Sequence, residues 1–308
     1  MVQRIDVHHH LVAPRFVPML RDMGVLTPHL ASIMNADDAV ADMDKAGVTL
    51  AVNSVTLPGG LRGEARITYV RENNEYMARL ATDYPGRFGM FAALPLPEID
   101  ATLKEIAYAM DTLRADGVHM ITSYEDHWLG DSIFVPVFEE LNRRKAVIYT
   151  HPHAPACCAN VLGELDIRDS VIEYGTDTTR ALTNVVFSGT AARFPALRLI
   201  WSHGGGTMPF LVERFIRMEK MPRFASFVPN GFVAEAAKFF YDTAQVLHAS
   251  PLGALKQIVP LSKICYGTDY PWRSSVECVA GLRRSGIFSS AELAAIDGNA
   301  APLLSRLG

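Results

Sequence analysis

The stretch Arg4-Ile-Asp-Val-His-His-His-Leu11 opens the chain, and in it two apolar residues alternate with polar ones. Such alternation predicts a β-strand, because successive side chains of a strand point to opposite faces. On that pattern His8 and His10 share one face, from which both imidazoles can reach a single metal ion. Asp6 has the same parity and could orient such a ligand from behind. The alternative interpretations are an expression-tag remnant or three solvated histidines.

The composition is typical of a packed globular chain. Of its 308 residues 49% are hydrophobic and 20% are charged, and the formal net charge is −4. No basic run stands out, which argues against nucleic acid and membrane surfaces as partners. No apolar run approaches the roughly 18 residues of a membrane span, and no signal peptide precedes the first strand, so we expect a cytoplasmic protein. The spacing of the four cysteines predicts reduced, mostly buried thiols.

Eight predicted strands alternate with helical segments along the chain. After the first strand they lie at residues 48–55, 87–94, 118–122, 146–150, 197–202, 239–243 and 264–267. This alternation predicts a parallel sheet, and eight units predict a closed (β/α)8 TIM barrel of the α/β class. The alternative is an open doubly wound sheet, but Gly-x-Gly-x-x-Gly does not follow the first strand. We therefore predict a single barrel domain over residues 1–308.

Two segments fall outside the repeating unit. Residues 12–35 mix prolines with apolar and polar residues, which predicts a loop insertion above one end of the barrel. Helical patterns at 275–284 and 290–297 close the chain and predict an extra C-terminal helix.

Chemically capable side chains recur where the predicted strands end. His8 and His10 end the first strand, and His151, His203 and Asp269 follow the fifth, sixth and eighth. Because the active site of such a barrel lies at the C-terminal ends of the strands, we expect these side chains to meet at one rim. Three neutral imidazoles and a carboxylate suit zinc or another divalent transition ion, with one position open for water or substrate. Each residue alone is more often a core or loop residue.

Three glycines follow His203 at the predicted start of a helix. Glycines let backbone N–H groups approach an anion, and a helix N-terminus favours negative charge. On this interpretation His203 is an acid or base beside a metal-bound anion, with a pKa near the working pH. The alternative is a flexible turn. The fourth predicted strand does not end in a lysine that could bridge two ions, so we predict one metal.

Four motifs occur in order along the chain: Asp6-x-His8-x-His10, His151-Pro152, Ser202-His203-Gly-Gly-Gly206 and Gly267-Thr-Asp269-Tyr-Pro271. Together they resemble the amidohydrolase superfamily. They are most similar to its aminocarboxymuconate-semialdehyde decarboxylase branch, which includes resorcylate, isoorotate and 6-methylsalicylate decarboxylases. The resemblance spans nearly the whole chain. The motifs are specific to this branch as a set, and none of them is specific by itself.

The resemblance implies a mononuclear centre with one divalent metal, usually zinc or manganese, and no organic cofactor. We expect zinc, with manganese as the alternative. His203 is implied to be catalytic, and the implied ligands are His8, His10, His151 and Asp269. Members of the branch also tend to place arginines on the helix after His-Gly-Gly-Gly, one often donated across a homodimer. Arg214 falls at the matching place and Arg223 near its match, so we expect a homodimer.

The function that we predict is non-oxidative, cofactor-free decarboxylation of a small aromatic or unsaturated carboxylic acid. The metal would bind the carboxylate and a neighbouring hydroxyl or keto oxygen and accept developing charge. Asp269 or His203, directly or through the metal-bound water, would protonate the carbon that loses CO2. A second possibility keeps the site but hydrolyses a lactone or amide, or hydrates a double bond. A third is a barrel that holds only a structural metal.

The candidate substrate-binding residues are Arg214, Arg223, His153, Trp128 and Trp272. An arginine could clamp a carboxylate, although surface arginines are commoner than clamps. The two tryptophans could form an apolar wall for a flat ring, with core packing as the alternative. His153 shares strand parity with His151, which favours contact with the substrate or support of a ligand.

Overall fold

Eight parallel strands form the central sheet of the computed structural model, which describes residues 3–55 and 57–307. They are β1 (Arg4–His10), β2 (Val48–Ser54), β3 (Phe88–Ala93), β4 (Gly117–Ile121), β5 (Val147–His151), β6 (Arg198–Trp201), β7 (Phe240–Asp242) and β8 (Ile264–Cys265). Each strand pairs with the next one in chain order, as successive βα units require. The predicted strand ends lie within two residues of these bounds.

The sheet closes into a ring between β1 and the segment that follows β8. The backbone N–H of Val7 donates to the carbonyl of Tyr266 over 3.0 Å, and that of His10 to the carbonyl of Tyr270 over 2.8 Å. His9 pairs with Tyr270 as a parallel bridge. A closed ring of eight parallel strands with helices around it is a (β/α)8 barrel, so the predicted fold class is confirmed.

Helices connect the strands and cover the outside of the ring. They are α1 (Val17–Asp22), α2 (Pro28–Ser32), α3 (Ala36–Ala46), α4 (Gly63–Asp83), α5 (Ile99–Ala107), α6 (Val135–Arg143), α7 (Glu173–Phe187), α8 (Thr190–Arg193), α9 (Met208–Met218), α10 (Phe232–Ala236), α11 (Ala249–Ile258), α12 (Ser275–Arg284) and α13 (Ser290–Gly298). Local signals fix their ends. Asn35 caps α3 by accepting from the N–H of Asp38 over 3.0 Å, and Gly47 ends it in the left-handed conformation.

The two faces of the strands bury separate apolar clusters. Ile5, Val52 and Phe91 belong to a cluster drawn from six strands together with the C-terminal segment, including Leu303 and Leu304. A larger cluster joins the other strand faces to the helices. The C-terminal segment therefore closes the interior of the barrel at the end opposite the C-terminal ends of the strands.

The insertion after β1 is helical rather than a loop. It contains α1 and α2, and Leu20 and Leu26 anchor it in the core. Thr27 caps α2, because its hydroxyl oxygen accepts from the N–H of Leu30 over 3.2 Å. The two buried leucines that precede this cap explain why the segment folds instead of remaining open.

Residues 123–130, between β4 and α6, contain a two-stranded hairpin of Ser123–Tyr124 and His127–Trp128. The buried carboxylate of Asp177, on α7, holds the hairpin: it accepts from the hydroxyl of Ser123 over 2.9 Å and from the indole N–H of Trp128 over 2.5 Å. The hairpin thus depends on a helix about fifty residues later, which no local pattern in the sequence indicates.

The described part of the chain has no candidate membrane span, and its cysteines are unpaired. Within residues 3–55 and 57–307, no helix combines the length and the apolar character needed to cross a membrane. All four cysteines are free, and Cys265 and Cys278 are buried as expected. The expectation is wrong for Cys157, which is exposed because it lies in the loop after β5.

Gly117 opens β4 where the strand lies close to β5, and a Cβ atom there would lie 2.5 Å from the carbonyl oxygen of Val147. We expect Gly117→Ala to lower the free energy of unfolding by about 1–3 kcal/mol, because backbone atoms must move. Gly253, inside α11, would meet only the flexible end of Ile287 at 3.6 Å. Gly253→Ala should therefore raise stability by about 0.5–1 kcal/mol. Urea unfolding of both variants tests the opposite signs, and equal shifts would contradict this account.

Candidate metal centre

The C-terminal ends of the strands bring four metal-binding side chains together. His8 and His10 lie on β1, His151 ends β5, and Asp269 follows β8. The ligand atoms that these four residues offer all lie within 4.8 Å of one another. Three imidazole nitrogens and a carboxylate oxygen gathered in this way form a ligand set that suits a single divalent ion.

The polar atoms of this cluster fit a bound cation. Nε2 of His8 and Nε2 of His10 are buried and have no hydrogen-bond partner among the described residues. Oδ1 of Asp269 lies 3.3 Å from the first nitrogen and 3.4 Å from the second. Buried polar atoms without partners are rare because each costs free energy. A metal ion shared by these atoms removes that cost.

Each histidine of the cluster is oriented through its other ring nitrogen. Nδ1 of His8 lies 2.8 Å from Oδ2 of Asp242, and Nδ1 of His10 lies 3.0 Å from the carbonyl oxygen of Ser54. Nδ1 of His151 lies 2.9 Å from the carbonyl oxygen of Pro152. An oxygen at Nδ1 selects the tautomer with its proton there, which leaves Nε2 free to bind a metal.

Asp242, at the end of β7, supports the ligand that Asp6 was expected to orient. Oδ2 of Asp242 faces His8, and Oδ1 accepts from the backbone N–H groups of His203 and Ala244 over 2.9 and 3.0 Å. The carboxylate of Asp6 instead accepts from the N–H of His8 and from Thr268. The register of β1 against β2 shifts between Asp6 and His9, so the strict alternation that linked Asp6 to the imidazoles does not hold.

His203 approaches the cluster from β6, and its Nε2 lies 3.5 Å from Oδ2 of Asp269. Two of the three glycine N–H groups after it are not available to an anion, because those of Gly205 and Gly206 donate to the carbonyls of Ser202 and His203. A Cβ atom at Gly206 would lie 2.0 Å from the carbonyl oxygen of Gly175. The glycines therefore form a closely packed turn from strand to helix, rather than the flexible turn of the alternative interpretation.

Burial and charge separate the pKa values within the cluster. Burial lowers the pKa of His10 and, with the neighbouring histidines, holds the pKa of His151 well below its usual range. Burial acts against the protonated form of His8 too, but Asp242 and Asp269 outweigh it and raise its pKa to about 10. Burial alone would raise the pKa of Asp269, yet the charge of His8 and the neighbouring ring nitrogens of His10 and His203 hold it well below its ordinary value. A metal that binds His8 must displace this proton.

The cluster borders a cavity of about 670 Å³, lined in part by His151, His203 and Asp269. This volume lies within the range of small-molecule sites. Trp272 and Val246 add apolar surface to the lining, and the indole ring of Trp272 lies 5.4 Å from the ring of His10. The cavity therefore joins a flat apolar wall to the candidate ligands.

The other predicted substrate-binding residues lie outside this cavity. His153 lines a separate space of about 280 Å³ beside the hairpin, and the indole N–H of Trp128 is bound to Asp177. Arg214 and Arg223 are exposed, on α9 and just beyond it, and neither lines the cavity. The structure thus brings Trp272 to the metal cluster but not these four residues, whose role in substrate binding stays a prediction.

A family model described as amidohydrolase matches residues 5–282 of the chain. The chain belongs to the amidohydrolase family. It is 34% identical over 287 residues to the decarboxylase yanB of Aspergillus niger, a match that covers 88% of this chain and 78% of that protein. It is 32% identical over 281 residues to the 6-methylsalicylic acid decarboxylase of Penicillium expansum, with 87% and 85% covered. The predicted resemblance to the decarboxylase branch is confirmed.

Solved structures of distant amidohydrolases share the fold. The 2,6-dihydroxybenzoate decarboxylase from Rhizobium superimposes with a TM-score of 0.86 at 20% identity, over 100% of both chains. A dihydroxybenzoic acid decarboxylase from Polaromonas, solved with manganese and the inhibitor 2-nitroresorcinol, gives the same TM-score and identity over 98% of this chain and 97% of the other. This amidohydrolase therefore shares the architecture of these two structures over nearly its whole length.

Sequence reasoning missed two polar residues of this amidohydrolase's site. Asp242 ends the seventh strand, at the rim where the metal ligands lie. Its position at a strand end was the one feature of the sequence that could have marked it as a site residue. Gln245 follows three residues later, and its side-chain amide donates to Asp269 over 2.9 Å. A glutamine in a loop gives no sequence signal, because its contact joins two segments far apart in the chain.

We expect Asp242→Asn to weaken metal binding about 10–100-fold. The carboxylate uses one oxygen for His8 and the other for two backbone N–H groups, whereas an amide offers a single acceptor oxygen. Competition against a metal-buffering chelator measures the dissociation constant. Asp116→Asn is the matched control, because this buried carboxylate pairs with Arg306 at the other end of the barrel. Equal affinities in the two variants would refute the supporting role of Asp242.

Proposed function

We propose that this amidohydrolase is a metal-dependent decarboxylase of a small aromatic or unsaturated carboxylic acid. The observation that carries the proposal is the set of four ligands together with His203, which borders the same cavity without belonging to the ligand set. A structural metal would not need a fifth titratable group that opens onto a ligand-sized space. The curated relatives that cover most of this chain are decarboxylases.

The metal that we propose is one divalent ion per chain, held by His8, His10, His151 and Asp269. Zinc suits three imidazoles and a carboxylate, and manganese, which is bound in the Polaromonas structure, is the alternative. When bound, the ion supplies positive charge that draws a substrate carboxylate into the cavity and offsets charge that develops as CO2 leaves.

The residues of the chain position the substrate and deliver a proton. Loss of CO2 leaves an electron pair on a carbon atom, and one proton must reach that carbon to complete the product. Nε2 of His203 and Oδ2 of Asp269 lie 3.5 Å apart on the cavity side of the cluster, and we assign the proton to this pair. Trp272, beside His10, would hold a flat ring over the ligands and exclude water from one side.

We further propose that the enzyme acts as a homodimer in the cytoplasm. Phe210, on α9, is 60% exposed, and Arg214 lies one helical turn further along the same helix. A second copy that covered this face would bury the exposed ring and could receive Arg214 or Arg223 at its own cavity. Free cysteines among the described residues are typical of a reducing compartment.

Elemental analysis of the purified protein tests the metal assignment. We expect about one zinc or manganese ion per chain, lost in His8→Ala and Asp269→Ala because each removes a ligand. His203→Ala should keep the ion, since His203 is not one of the four ligands. Retention of the metal in the two ligand variants would refute the assignment of the ligands, and only the assignment of the fold would remain.

Release of CO2 from a panel of aromatic acids tests the reaction. The panel contains 6-methylsalicylic acid, 2,6-dihydroxybenzoic acid and 5-carboxyvanillic acid, which the names of similar proteins suggest. We expect one of them to yield CO2 and the protonated ring, with kcat reduced about 100-fold or more in His203→Asn, which keeps its metal but cannot transfer a proton. Hydrolysis of lactones or amides without CO2 release would instead support the second possibility, because the barrel fold serves both chemistries.

A further inference from the structure

Gln245 contacts the carboxylate of Asp269 from the loop after β7. Its Nε2 donates to Oδ2 over 2.9 Å. The other carboxylate oxygen, Oδ1, faces Nε2 of His8 and Nε2 of His10 at 3.3 and 3.4 Å. The two oxygens of Asp269 therefore have different neighbours, and the amide lies on the side away from the ligand nitrogens.

The backbone directs Gln245 towards this contact. Oδ1 of Asp242 accepts from the N–H of Ala244 over 3.0 Å, which turns the chain just after β7. Gln245 then adopts a φ of 58°, in the left-handed region. Residues other than glycine rarely adopt this conformation and keep it only where their surroundings fix it.

The same conformation recurs at the two residues that Gln245 approaches. His203 has a φ of 51° and Asp269 a φ of 70°, and the side chains of all three converge on Oδ2 of Asp269. Left-handed residues that are not glycine cluster at functional sites. Five other non-glycine residues elsewhere among the described residues also have positive φ, so the shared approach to Oδ2 of Asp269, together with this conformation, is what groups Gln245 with His203 and Asp269.

Packing does not hold the side chain of Gln245 in place. The residue is exposed and lines the cavity over the metal cluster. A long exposed side chain would otherwise sample several rotamers, so its bond to Asp269 selects the observed one. The carboxylate is restrained in the same way, because its Oδ2 is bound on the side away from the histidine ligands.

We propose that Gln245 is a positioning residue for the metal centre. Its amide holds the carboxylate of Asp269 in the orientation that points Oδ1 at the ligand nitrogens and keeps Oδ2 beside His203. The effect on metal binding rests only on the four-ligand cluster, whereas the effect on CO2 release rests on the proposed function.

Two variants of Gln245 distinguish the contribution of its side-chain amide from that of its left-handed backbone conformation. Gln245→Leu keeps the size of the side chain and removes its polar atoms. Gln245→Asn keeps an amide and tolerates the left-handed conformation, but it is one methylene too short for the 2.9 Å contact. Gln257→Leu is the matched control, because Gln257 is an exposed glutamine on α11 that does not line the cavity.

Competition with a metal-buffering chelator measures the affinity of each variant for Zn²⁺ and Mn²⁺. We expect the dissociation constant to rise about 10–100-fold in Gln245→Leu and Gln245→Asn, and to stay at the wild-type value in Gln257→Leu. The melting temperature of metal-free Gln245→Asn should equal that of the metal-free wild type. Unchanged affinity in both Gln245 variants, or an equal loss of stability in their metal-free forms, would overturn the positioning role.

The turnover of metal-saturated enzyme adds a second readout. With 6-methylsalicylic acid as the probe, we expect Gln245→Asn to lower kcat while KM changes less, because the orientation of Oδ2 beside His203 is disturbed. A KM effect alone would contradict this step. The affinity measurement decides the role of Gln245 in metal binding whether or not the wild type releases CO2, so failure of the proposed function remains distinguishable.

Discussion

The hydrogen bond from the backbone N–H of Asp269 to the carbonyl of His8, 2.8 Å long, lies in the seam that closes the barrel. The first and last strands meet there, so a ligand near the start of the chain and another near its end become neighbours only when the ring is complete. One such bond contributes about 1 kcal/mol, which is little against the loop-closure entropy of so distant a contact. The pairing of the intervening strands must therefore stabilise the seam. The metal cluster is a consequence of closure and cannot form without it.

A single carboxylate then links the parts of the cluster to one another. Asp242 binds the imidazole of His8 through one oxygen and the backbone of His203 through the other. A ligand and the proposed proton carrier are thus fixed to the same rigid strand end. An ionised carboxylate buried without partners would be very unfavourable, but this one accepts three hydrogen bonds. Its position satisfies the charge and sets the distance between the two histidines.

Local patterns in the sequence predicted the barrel and placed five candidate side chains at one rim, and the resemblance to the decarboxylase branch then separated the four ligands from His203. Strand periodicity and the residue at each strand end, such as His151 or Asp269, are visible within a few positions. The residues that it did not predict act through partners far away in the chain. The register shift in β1 broke the expected parity of Asp6, and Gln245 owes its place to Asp269. Periodicity within one segment contains no information on such pairings, because they are decided by how the strands and loops meet.

Near the metal cluster, some positions with positive φ hold glycine and others hold residues with polar side chains. This difference shows which side chains the site needs. In the turn after β6, Gly204, Gly205 and Gly206 all have positive φ, which glycine adopts without strain. His203, Gln245 and Asp269 also have positive φ, at a cost of about 1–3 kcal/mol each. Glycine would remove that cost but would supply no imidazole, amide or carboxylate. Of the eight non-glycine residues with positive φ in the described part of the chain, these three have side chains that meet at the site, and glycine is found beside them where only the backbone matters.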